Sequence, residues 1–169
     1  FKFQDQVVGD AWSTQADMNT AREGLSGSGV QTAALGWGGA TDPGSIRAET
    51  EFWNGSTWTE LNDLNQSKTL DAGAGTVYTS SLSFGGRNPG GTRIALTESY
   101  NGTNWTEVSD LASANSMQSA AARADSTVGL AFAGTVTEEW TTTPSALFQK
   151  TIEGQLFFNS TSNAFKETI

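Results

Sequence analysis

Apolar and polar positions along the chain recur with a period of 46–47 residues. Trp12, Trp58 and Trp105 each stand six residues ahead of an apolar residue, Met18, Leu64 and Leu111, with polar positions between them. In the first copy Asn19-Thr20-Ala21-Arg22 comes next. Gly27-Ser28-Gly29 then aligns with Gly73-Ala74-Gly75 and Ala120-Ala121-Ala122. Side-chain volume is excluded at that position, as it is where backbones approach closely. Apolar residues follow at every second position: Ala33, Leu35, Trp37; Ser80, Leu82, Phe84; Val128, Leu130, Phe132. Period two predicts a strand buried on one face. It ends at Gly38-Gly39, at Gly85-Gly86 and, in the third copy, at Ala133-Gly134. After a loop come Thr50-Glu51-Phe52-Trp53, Thr97-Glu98-Ser99-Tyr100 and Thr137-Glu138-Glu139-Trp140, whose final aromatics suit packing between sheets. Asn54-Gly55-Ser56-Thr57 and Asn101-Gly102-Thr103-Asn104 predict hairpins, because Asn-Gly readily takes positive φ. Each leads into the next Trp.

The pattern predicts an all-β chain, and a period of this length belongs to propeller blades rather than helical solenoids. The small-residue position suits an innermost strand, where blades converge on a central channel. The repeat region takes in residues 1–144, with copies at 12–57, 58–104 and 105–144, the last already degenerate. Residues 145–169 differ. Gln155-Leu156-Phe157-Phe158-Asn159 and Ala164-Phe165-Lys166, around the polar Ser160-Thr161-Ser162-Asn163, predict a closing hairpin. Phe1-Lys2-Phe3 is expected to pair beside it.

Composition narrows the chemistry. With 36% apolar and 10% aromatic residues in 169, a core can be buried. Nineteen glycines favour short strands and turns over helices. A net charge of -9 without a basic cluster argues against nucleic acid, whose phosphates require Lys and Arg. The weakly polar run 127–136 is too short to span a bilayer and reads as a buried strand. The start at Phe1, without an initiator Met or a signal peptide, reads as a processed product or a piece of something longer.

With no Cys and no His, Ser-His-Asp and Cys-His triads and the usual zinc and copper ligand sets are unavailable, and no cofactor or metal is expected. Carboxylate pairs remain: Glu138 with Glu139, or Asp63 with Asp110, would serve glycoside hydrolysis if they met about 5–9.5 Å apart. Against that, Glu51, Glu98 and Glu138 share one repeat position, which points to architecture, such as bonding a neighbouring amide. Asp17, Asp63 and Asp110 likewise precede the apolar Met or Leu in every copy and suit turns. Asn-x-Ser/Thr sequons at Asn54, Asn65, Asn101, Asn104 and Asn159 are better read as turn chemistry than as glycosylation sites. The loops after Gly-Gly are the candidate ligand-binding surface. Asp42 and Arg47 in the first match Asn88 and Arg93 in the second, and two arginines on rigid loops would suit a polar ligand such as a glycan.

The order Trp, Gly-Gly, aromatic, Trp over residues 12–140 resembles the kelch-type propeller repeat. Trp12-Ser13-Thr14, Met18-Asn19-Thr20-Ala21-Arg22, Gln31-Thr32-Ala33-Ala34-Leu35 and Glu51-Phe52-Trp53-Asn54-Gly55 look like kelch-like arrays of marine bacteriophage tail and fibre proteins. The stretch 154–166 resembles a module found beside such arrays. The resemblance implies a non-enzymatic virion component, extracellular on the phage tail or fibre, supporting host attachment. Its partners would be other copies of itself, other virion proteins or a host-surface glycan, with no nucleic acid and no membrane span. The copper oxidases that share kelch blades need Cys and His, so their chemistry does not carry over. A carbohydrate-binding module, an acid-pair depolymerase and a kelch interaction adaptor are the alternatives. Closed propellers usually have four to eight blades, so three repeats leave open edges for a second copy, further blades or a trimer to complete.

Overall fold

The computed structural model describes residues 11–41, 44–116, 119–122, 126–142, 156–159 and 164–167. Its regular structure is antiparallel β throughout, with no helix among the described residues. The first sheet comprises β1 (Ser26–Val30), β2 (Ala33–Trp37), β5 (Thr50–Trp53) and β6 (Trp58–Leu61), hydrogen-bonded in that order. A short pair, β3 (Ala40–Thr41) and β4 (Ser45–Ile46), projects from the connection between β2 and β5. The second sheet repeats the plan with β7 (Ala72–Val77), β8 (Ser80–Phe84), β9 (Thr97–Tyr100) and β10 (Trp105–Glu107). The third has three strands, β11 (Ser119–Ala122), β12 (Val128–Ala133) and β13 (Val136–Thr141). In the tail, β14 (Leu156–Asn159) and β15 (Ala164–Glu167) pair antiparallel. The expected pairing of Phe1-Lys2-Phe3 lies outside the described residues.

Sequence period and sheet are offset by one strand. Trp58 opens the second copy but pairs with Trp53 as the last strand of the first sheet, and Trp105 pairs with Tyr100 in the second. Trp12 has no such place: it is fully exposed and outside any strand, unlike half-buried Trp58 and buried Trp105. The equivalence of the three tryptophans in the repeat therefore carries over to the structure for Trp58 and Trp105 only, because no described strand precedes β1 for Trp12 to pair with.

The alternation in the second strand of each sheet sorts side chains by size. Leu35 and Trp37 bury with Tyr100 and Trp105 between the first two sheets. One repeat on, Leu82 and Phe84 pack with Ala131, Ala120 and Trp140 of the third sheet. The face that receives them is small. A Cβ on Gly73 would stand 2.5 Å from the Gly27 carbonyl oxygen and 2.8 Å from the Trp37 ring, so the glycine is required by close approach of β7 to the first sheet.

Gly38-Gly39 has φ of 67° and 90°, and Gly85-Gly86 has 67° and 100°. Side chains are disfavoured at such angles. Gly39 N–H donates to the Lys68 carbonyl (2.9 Å) and Gly86 N–H to that of Asn115 (2.7 Å), so each pair anchors the loop leading into the next sheet. In the third copy a tight turn at Gly134 joins Ala133 directly to Val136, and the long connection is gone. The two Asn-Gly hairpins form where expected, by a different device. Only the glycines have positive φ, while Asn54 and Asn101 each accept two backbone N–H groups on the side-chain oxygen at 2.9 Å.

Candidate functional site

The repeated glutamates lie where a lead-in loop meets its own sheet. Glu51 is 1% exposed and accepts the N–H and Nδ2 of Asn19 (2.7 and 3.0 Å) and Nη2 of Arg22 (2.7 Å). Arg22 also donates to the carbonyls of Gly38 and Glu49. Glu98, fully buried, takes the N–H and Nδ2 of Asn65, both at 2.8 Å, and faces Lys68 Nζ at 3.7 Å. In the third sheet Ala112 and Asn115 stand where the asparagine and the cation were. Glu138 accepts the Ala112 N–H at 2.6 Å. A buried carboxylate requires paired charge and hydrogen bonds, and the first two sheets supply both.

Asp63 and Asp110 accept the N–H of Thr50 (3.2 Å) and Thr97 (3.0 Å). They occupy equivalent places in successive sheets, each committed to its own threonine amide.

Between the first and second sheets Asp71 is buried. Its Oδ2 accepts from Trp37 Nε1 (2.9 Å) and Ser83 Oγ (2.6 Å), while Oδ1 has no hydrogen-bond partner in the structure. Burial holds this carboxyl above the ordinary aspartate value, opposed by the charge of Lys68. Burial also lowers Lys68, against the attraction of Asp71 and Glu98. Lys68 further donates to the Ser83 carbonyl at 3.3 Å. The aspartate is not a repeat residue. Trp37 is the one member of the series Trp37, Phe84, Phe132 with an indole N–H, and Asp71, where the first copy has Leu25, answers it.

The loops after Gly-Gly are further apart in character than their sequences. Arg47 pairs with Glu49 at 2.9 Å and is a third exposed. Arg93 is exposed and bridges Arg87 through the backbone. Asn88 organises its turn, its side-chain oxygen accepting from Gly90 (3.0 Å) and Thr92 (3.1 Å). Asp42 lies outside the described residues.

A cavity opens between the second and third sheets, lined by Phe84, Thr97, Asp110, Glu138, Glu139 and Trp140 among others. It collects three of the four acids considered for hydrolysis; Asp63 is not among them. Among the described residues no group of three or more acidic side chains is placed to hold a metal ion. No helix of the described residues is long and apolar enough to cross a membrane.

Asn19 and Asn65 recur at the repeat period, which marks them as repeat residues without saying which acid they meet. Lys68 shares that signal with Arg22 at the same spacing, whereas Asp71 gave none. No family model matches the chain, and the search of curated proteins finds no match.

Proposed function

We propose that this chain is a non-enzymatic structural component of a phage tail or fibre, its sheets acting as kelch-like propeller blades that support attachment to a host surface. The observation that carries the non-enzymatic part is the use of the repeated acids. Glu51 and Glu98 are buried and bound to the lead-in loops, and Asp63 and Asp110 hold threonine amides. Such groups serve construction rather than a reaction. Sheets of one plan, with small faces receiving large ones, suit blades, and the phage assignment draws on the repeat wording. Attachment would use Arg47 and Arg93, which lie on loops beyond the sheet ends.

The test is retention of the labelled chain on bacterial cells and on an array of bacterial surface glycans, with an Arg47→Ala/Arg93→Ala variant alongside. Retention that falls in the variant supports attachment through these loops. Release of shortened glycans would replace the reading with a depolymerase, and absence of retention on both surfaces would leave the scaffold role and remove the attachment role.

A further inference from the structure

The first two sheets each close with a strand beginning in Trp. Trp105 is 5% exposed, its ring centroid is 5.0 Å from those of Trp37 and Tyr100, and its Nε1 donates to Thr50 Oγ1 at 3.0 Å. Moved one repeat along the chain, those three neighbours become Phe84, Trp140 and Thr97. All three line the cavity between the second and third sheets. No described strand pairs with the outer edge of β13, where the missing Trp strand would lie.

Trp12 is the unused member of the series. The spacing from Trp12 to Asp17 repeats that from Trp58 to Asp63 and from Trp105 to Asp110. Since Asp63 and Asp110 accept the amides of Thr50 and Thr97, the equivalent pair is Asp17 with Thr137. A second observation concerns the far face of the third sheet. Leu130 and Phe132 are 37% and 42% exposed, at positions where Leu35, Trp37, Leu82 and Phe84 bury against a following sheet.

We propose that residues 12–15 of a second copy of this chain add to β13 as its fourth strand. Trp12 enters the cavity at Phe84, Thr97 and Trp140, and Asp17 takes the Thr137 amide. The register of the other sheets sets Trp12 opposite Trp140, Ser13 opposite Glu139 and Thr14 opposite Glu138. The first sheet of the donor, following its Trp strand as the second sheet follows Trp58, then covers Leu130 and Phe132. Donor and acceptor surfaces differ, so the contact is heterologous and builds a ring or an open array. This follows from sheet geometry alone and does not rest on the attachment reading.

The chain has no cysteine, which makes cross-linking specific. Directly opposed cross-strand positions lie at disulfide distance. Mixed S13C and E139C chains are expected to form a disulfide between chains, and T14C mixed with E139C, one residue out of register, is not. Light scattering across a concentration series is expected to show mass rising with concentration. W12A should weaken that association by roughly ten- to a hundredfold, the worth of one buried aromatic, while leaving the melting of the separate chain unchanged. A mass that stays monomeric at every concentration, equal association by W12A, or an S13C/E139C double variant that links only within one chain would overturn the proposal.

Discussion

At Glu51 the desolvation of a carboxylate is offset by two donors on Asn19 and by the Arg22 guanidinium, all from one short loop. Removing the acid leaves Arg22 charged and enclosed. Glu51→Ala is therefore expected to lower the unfolding free energy by roughly 3–5 kcal/mol in urea titration, the cost of breaking a buried pair. Glu138, half-buried and accepting the Ala112 N–H, should cost no more than about 2 kcal/mol on the same change. At Asp71 the consequence is a pH dependence. Its pKa is raised above 3.8, so between 3.8 and the raised value the folded chain binds more protons than the unfolded one. Stability from this residue falls as pH rises through that window. Lys68 acts at the other end: its pKa is lowered from 10.5, and stability rises with pH between the lowered value and 10.5. The difference in unfolding free energy between the native chain and D71N is expected to shrink as pH is raised from 3.8. A difference that grows over that range would contradict the assignment.

At the scale of the element, the glycine pairs set where each second strand stops. Gly39 has φ of 90°, and an added Cβ would stand 2.8 Å from the Glu23 carbonyl oxygen. Gly44, with φ of 96°, has open space around it. Gly39→Ala should therefore destabilise by roughly 2–4 kcal/mol and Gly44→Ala by about 1 kcal/mol, since the second carries only the backbone strain. Thermal melts of the two variants check the ranking. The strands ending at these glycines were legible because Leu35, Trp37, Leu82 and Phe84 alternate with small residues, and burial on one face writes itself as period two. The hairpins were legible from Asn-Gly. What the residues did not announce is which loop answers which acid, because Asn19 and Glu51 meet across 32 positions through a fold no local pattern encodes. Asp71 was hidden for another reason: it occurs once and matches one indole, so repetition could not point to it. The exposure of Trp12 was missed because the spacing that follows it, to Asp17 and Met18, repeats that after Trp105, whereas the Thr-Glu-x-aromatic strand and Asn-Gly turn that precede Trp58 and Trp105 have no counterpart ahead of it.

Across the whole molecule, stability is expected to be shared among stacked sheets, each lending its small face to the large side chains of the one before. The three tryptophans of the sequence repeat rank that dependence. Trp105→Ala should cost roughly 3–5 kcal/mol because the indole is enclosed by two sheets. Trp58→Ala should cost less, as Trp58 is half-buried on a face that no described sheet precedes, yet still lower the melting temperature by several degrees. Trp12→Ala should leave the melting of the separate chain unchanged. The most direct measurement is the indole region of an NMR spectrum, assigned at concentrations where the chain is monomeric. The stacked arrangement requires the Trp105 indole proton to show a nuclear Overhauser contact to Thr50, 55 residues away, and Trp37 and Trp105 to exchange with solvent far more slowly than Trp12. Indole protons of all three exchanging alike, without the Thr50 contact, would contradict it.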